Sequence, residues 1–231
     1  MTLLANVQDA ARLAKIDVPS SVIGNTDETA ALLLGLSNRG GRSIAKRYAW
    51  QALQVVAALT TLAASSQGAL PANFDRIIPD TMWNTTRRRK VFGPLDAQEW
   101  AEISATVTTM VDPAFQIRAG NIYMTPTPAA GEAVIYTYAS TLWVDNGGAD
   151  ATAYDADTNT TVFDDELLVL DLVWRYRHNR GLDFEPDRLE FERRLADAIT
   201  LDGGRRTIDT TSCRMPVGQP TKLQIPDSGF A

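Results

Sequence analysis

The sequence predicts an α+β fold: a discontinuous helical bundle interrupted by a β-rich insert and followed by an extended C-terminal tail. Three observations lead there. Apolar residues recur at helical spacings before residue 67 and again after residue 163, short β-type runs broken by Gly and Pro fill the stretch between, and periodicity stops after residue 204. The expected division is a helical part from residues 1–67 and 164–204, a β-rich insert over 68–163, and a tail over 205–231.

In the first helix, Leu3, Leu4, Val7, Ala10, Ala11 and Ala14 form one stripe, and Pro19 stops the pattern. Asn25 with Glu28 three residues on resembles a capping box, which starts a second helix near Thr26. Its expected end is Asn38, before Gly40-Gly41 acting as a C-terminal stop. A third helix is expected from Arg42 to about Ser65, with Ile44, Tyr48, Ala52, Val55, Leu59 and Leu62 on a core-facing stripe.

After Gly68 strands are expected near Phe74–Ile78, Thr86–Phe92, Phe115–Arg118, Ile122–Thr125 and Ala133–Tyr138. Ala119-Gly120-Asn121 has the residue types that tolerate positive φ, so residues 115–125 read as a hairpin. Asp96, with Glu99 at the third helical position, caps a helix that Trp100, Ile103 and Val107 carry to about Met110. From Asp145 to Thr161 the Gly, Asp, Asn, Thr and Ala content reads as an exposed loop. Asp164 then caps an amphipathic helix ending near Arg180-Gly181. Glu185-Pro186 opens the last helix, which Leu189, Phe191, Leu195 and Ile199 carry to Gly203-Gly204.

Composition narrows the chemistry. The chain has 231 residues, 45% hydrophobic and 22% charged, and a net charge of -6, which disfavours sequence-independent nucleic-acid binding as its main task. Cys213 is the only cysteine and His178 the only histidine, so an intrachain disulfide and multi-cysteine or multi-histidine metal sites are excluded. The N-terminus lacks a signal-peptide pattern, and the apolar run Ala52–Ala64 is interrupted and too short to span a bilayer, so no membrane partner is expected. No catalytic residue, metal or cofactor is expected.

Arg87, Arg88, Arg89 and Lys90 form the most conspicuous run. On a strand they alternate between faces, which splits the four cations into two pairs; DNA contact, inter-subunit or portal salt bridges, and a solvated turn all remain open. Asp164, Asp165 and Glu166, with Asp155 and Asp157 upstream, fit a helix start better than a cation loop, since the glycine and glutamate of an EF-hand are missing. His178 reads as a capping or interface residue near a helix C-terminus. Trp83, Trp100, Trp143 and Trp174 read as core or subunit-contact anchors. In the tail, Arg205, Arg206, Arg214 and Lys222 against Asp209 and Asp227 reverse the sign of the chain's charge, while Val217, Leu223, Ile225 and Phe230 are separate apolar anchors.

Several segments occur in a telling order: Leu70-Pro71, Phe74-Asp75-Arg76, Trp83-Asn84, Arg87-Arg88, Val91-Phe92-Gly93-Pro94-Leu95, Glu99-Trp100, then AAGEAVIYTYAS from Ala129 and FDDELLVLDLVWRYRHNRGLDF from Phe163. In this order the chain resembles the head-to-tail adaptors of tailed bacteriophages, the tail tubular protein A-like family, from Leu70 to about Asp209. The resemblance implies a virion neck protein assembled in the host cytoplasm. Its helical part would form a ring beneath the portal protein, twelve copies matching the portal, and its β-rich part would point to a downstream nozzle or stopper protein. Genomic DNA would pass through the channel without specific binding. Arg205, Arg206, Arg214, Val217, Lys222, Leu223, Ile225 and Phe230 become portal or inter-subunit contacts, and Arg87–Lys90 become inter-subunit or portal salt bridges. The alternatives are a virion-associated peptidoglycan hydrolase and a DNA-binding connector.

Overall fold

The computed structural model describes residues 1–105, 113–148 and 150–203. The fold is α+β, with two separate apolar cores. The first is helical. It joins α1 (Leu3–Ala14), α2 (Glu28–Arg47), α4 (Asp165–Asn179) and α5 (Glu185–Asp202) through Leu3, Val7, Leu33, Ile44, Leu167, Leu172, Phe191 and Leu195.

Local chemistry sets most helix ends. Thr2 caps α1, whose last turn closes on Lys15 in the left-handed region. Asp27 caps α2 through the Ala30 amide at 3.1 Å. The expected cap, Asn25, instead accepts from the Asp27 amide and donates to the Ser21 carbonyl, holding the turn before the helix. Asp164 caps α4, and Pro186 stands in the first turn of α5.

Gly40-Gly41 does not stop α2. The helix runs through both glycines because they are buried where other parts of the core approach: a Cβ on residue 40 would overlap the Asp171 carboxylate, and one on residue 41 the Trp143 ring. Close packing, not helix termination, is their role.

The third helix predicted over Arg42–Ser65 is absent. Its first residues finish α2, Gln51–Leu53 form a single 3-10 turn, and the remainder supplies β1 (Gln54–Thr60) and the connection to β2 (Ser66–Ala69). Trp50 and Leu53 still belong to the helical core, and Trp50 donates its indole N–H to the Ile44 carbonyl.

The second core lies between two antiparallel sheets. One is centred on β8 (Ala133–Ser140), with β1 along one edge and β3 (Phe74–Ile77) and β4 (Trp83–Asn84) sharing the other; β5 (Arg89–Lys90) pairs outside β4. The other sheet has the order β2, β7 (Asn121–Thr125), β6 (Ala114–Arg118). Val134, Tyr136 and Tyr138 of β8 face Phe115, Ile122 and Met124. The predicted hairpin is present, and Ala119 and Gly120 both take the positive φ that its two-residue turn requires. Between β5 and β6 in the chain, α3 (Ala97–Ala105) starts with the expected capping box: Asp96 accepts from the Glu99 amide, and Glu99 accepts from the Asp96 amide. Its expected continuation to Met110 lies outside the described residues.

The segment expected to be an exposed loop, Asp145–Thr161, instead clasps the helical core. Short strands β9 (Val144–Asp145) and β10 (Thr160–Thr161) close it, and Tyr154 and Asn159 are buried. Asp157 accepts from the Val22 and Ile23 amides, and the Tyr154 amide donates to the Asn38 side chain. Its polar composition satisfies orphan backbone donors of the bundle, which a reading of polarity as exposure overlooks.

Candidate assembly surfaces

The cationic run lies on a turn more than on a strand. After β4 the chain turns over Thr85–Arg88, with Arg88 at φ 54, and only Arg89 and Lys90 are in β5. The expected alternation of four side chains therefore holds for the last two only. Asn84 fixes this turn by accepting from the Arg87 amide at 2.9 Å. Glu132, 7% exposed, holds it from below: it accepts from Asn84 Nδ2 at 2.6 Å and from Arg87 Nε at 2.6 Å, and its own amide donates to the Thr61 hydroxyl. Lys90 pairs with Asp80 at 2.6 Å and lies over the Phe92 ring. Arg87 and Lys90 thus have partners inside the chain, while Arg88 is exposed at the tip.

Beside this turn lies a largely apolar sheet row that ends at Lys90, the cross-strand partner of Trp83. Ile135 pairs with Trp83 on one side and with Ala58 on the other, so these three side chains share a row on the side away from the core, and Val56 extends it. Val56 is 69% and Trp83 42% exposed. On α5, Leu189 and Leu201 are exposed singly among charged residues while Phe191 and Leu195 turn inward. A groove of about 470 Å³ runs between α1 and α4, floored by Leu13, Val169 and Leu170.

The acidic cluster is engaged in holding the helices. Asp164 and Glu166 pair with Arg194 of α5, Asp165 pairs with the Met1 amino group, and Asp155 accepts from Asn159. One buried carboxylate stands apart: Asp171, 1% exposed, accepts from Arg175 Nε at 2.6 Å and Trp174 Nε1 at 3.1 Å. Burial pushes its carboxyl above the ordinary range, although Arg175 and Trp174 pull the other way. Burial likewise raises the Tyr154 phenol. His178 sits exposed at the end of α4, edge-on to Phe184 at 4.7 Å. Trp143 is wholly buried, the core anchor among the four tryptophans considered above, while Trp83 is the exposed one.

Arg205, Arg206, Arg214, Val217, Lys222, Leu223, Ile225 and Phe230, with Cys213, lie outside the described residues. Among the described residues no cluster of three or more His, Cys, Asp or Glu is placed to hold a metal, and no helix is long and apolar enough to cross a membrane. The row through Val56, Ile135 and Trp83 was not recognised in the sequence; its signal was the alternation of small or β-branched residues in QVVAALT, read there as a helix.

The exposed apolar row through Val56, Ile135 and Trp83 marks a candidate surface for contact with another protein. The family model described as SU10 adaptor protein matches residues 1–217, and the chain belongs to this family of phage head-to-tail adaptors. It is a structural adaptor, a virion component at the head-tail junction that associates with other phage head and tail proteins. No curated protein matches it.

Proposed function

We propose that twelve copies of this chain form a ring between the portal protein and the downstream nozzle or stopper protein, leaving a channel through which genomic DNA passes without specific binding. Assembly takes place in the host cytoplasm. The helical part, with the outer face of α5, packs the ring beneath the portal, and the β-rich part, with the Trp83 face, meets the tail. Arg88 at the turn tip makes an inter-subunit or portal ion pair with a carboxylate of the partner, while Arg87 and Lys90 hold the turn in shape. Residues 205–231 supply portal or inter-subunit contacts. Family membership over residues 1–217 carries this reading. The net charge of -6 supports a channel wall that repels phosphate.

Imaging of intact virions tests it. The expected result is a twelvefold ring of this chain at the neck, in contact with portal on one side and tail on the other. A closed ring of another order, or this chain located elsewhere in the virion, overturns it.

A further inference from the structure

The free edge of β1 is the place where the fold leaves backbone groups open. β1 pairs with β8 on one side, and no strand lies along its other edge among the described residues. Edge strands ordinarily resist further pairing through charges, proline, bulges or short length. β1 has none of these: QVVAALT is seven residues without a charge, a proline or a glycine, in unbroken register with β8. Val55 and Val56 are exposed, and Ala57 and Leu59 cover the second core only in part. Such an edge is a template for an added strand, with backbone hydrogen bonds giving affinity and alternate side chains giving specificity.

The chain leaves the described fold beside that edge. At the end of α5, Asp202 accepts from the Gln51 amide at 2.9 Å and from the Gln51 side chain, three residues before β1 begins. Within residues 204–231 one segment is bounded like a short strand. In Thr221-Lys222-Leu223-Gln224-Ile225 only the last four residues alternate polar and apolar, too short a run to count as a period, and Pro220 and Pro226 delimit the segment on either side. Leu223 and Ile225 fall on one face, Lys222 and Gln224 on the other.

We propose that Thr221–Ile225 of one copy adds as a strand to the free edge of β1 in a neighbouring copy, a proposal that rests on the ring reading above. Leu223 and Ile225 then cover Ala57 and Leu59 at the open side of the core, and Lys222 and Gln224 face solvent beside Val56 and Ala58. Length admits the neighbour as well as a copy's own edge, and the ring reading, which needs a contact between identical neighbours, selects the neighbour. The middle of a copy's own β1 lies about 20 Å from Gln51, which roughly six extended residues would span, whereas the connection from Gly203 to Thr221 reaches roughly 60 Å. Each copy gives one strand and accepts one, which is the heterologous contact that a closed ring repeats.

Full-length chains carrying Cys213→Ser test this. A tagged copy bears Val56→Cys or Ala58→Cys, an untagged copy bears Gln224→Cys, and the mixture is oxidised under assembling conditions. The expected product is a covalent tagged-untagged dimer, reduced at least tenfold when the donor also carries Leu223→Pro, which removes a ladder hydrogen bond. Rings seen by negative stain without that product overturn the strand exchange and leave the ring reading intact. Absence of both rings and product overturns both. An intramolecular disulfide in a chain carrying Ala58→Cys and Gln224→Cys together, or capture of Gln224→Cys by portal alone, also overturns the exchange.

Discussion

The six-membered ring of Trp143 packs against Gly41, inside the space a side chain at that position would need. Trp143 reaches there from the end of β8, stacks with Phe163, meets Tyr154 edge-on and donates its indole N–H to the Thr152 carbonyl. One glycine in α2 thereby joins the helical core to the segment that leaves the central sheet.

Gly41→Ala should consequently destabilise the protein, although alanine is the better helix former. The propensity gain is about 1 kcal/mol, while forcing a methyl into this contact costs about 1–3 kcal/mol of overpacking and displaces a fully buried indole. Gly35, in the same helix with open space around its missing Cβ, is the control: Gly35→Ala should stabilise. Urea midpoints that move the same way for both variants would contradict the close-approach account.

A second expectation concerns Asp171 and Arg175, the buried pair on α4 that packs against Gly40. Burial raises the Asp171 carboxyl, so the folded state binds its proton more tightly than the unfolded chain does. The group's contribution to stability is full below the ordinary carboxylate value and is lost as pH rises through the raised folded value. Measured against Asp171→Asn, which does not titrate, the wild type's relative stability should fall as pH rises from about 4 towards neutral. A difference independent of pH would show an ordinary carboxyl. At neutral pH, Arg175→Met alone should cost about 3–5 kcal/mol by stranding a buried carboxylate, and Asp171→Leu with Arg175→Met should recover most of it.

The features that sequence made legible are those fixed by local chemistry. The Asp96 and Asp164 caps, Pro186, and the Ala119-Gly120 turn each act on their own neighbours, and the structure contains them all. What was misread depends on distant partners. Gly40-Gly41 carries the local signature of a stop, but Asp171 and Trp143, more than a hundred residues away, require glycine there inside a continuing helix. Val55, Leu59 and Leu62 fit a helical stripe, yet short apolar runs do not separate period 3.6 from period 2, and pairing with β8 decides. Asp157 reads as loop polarity until the Val22 and Ile23 amides it satisfies are known. For the candidate surfaces, the arginine run was visible, but the buried Glu132 that commits Arg87 inward was not.

That commitment makes a third prediction. Glu132→Ala should cost about 1–3 kcal/mol, because it leaves the buried Asn84 amide without its acceptor. Arg87→Ala should cost about 1 kcal/mol or less, since the guanidinium is half exposed and solvent screens the pair. Arg88→Ala should leave stability unchanged within about 0.5 kcal/mol and, on the proposed function, weaken ring or portal attachment. Thermal denaturation and co-sedimentation with portal separate the two effects: attachment lost with Arg87→Ala and retained with Arg88→Ala would reverse the assigned roles.

Deletion after Gly204 is the fourth test. Among the described residues, both apolar cores lie before Gly203, and the contacts that close α5, from Asp202 to Gln51 and from Leu195 into the helical core, are retained in the shortened chain. Its circular dichroism and denaturation midpoint should therefore match those of the full chain. Assembly should suffer instead. The deleted residues carry Arg205, Arg206, Arg214 and Lys222 against Asp209 and Asp227, a cationic excess in a chain of net charge -6, together with the anchors Val217, Leu223, Ile225 and Phe230. On the proposed function a ring repeats each docking of these residues once per copy and multiplies the effect of losing it. Attachment to portal, followed by co-sedimentation at several salt concentrations, should fall at least tenfold and lose most of its salt dependence. Attachment equal to that of the full chain at every salt concentration would remove residues 205–231 from the assembly surfaces.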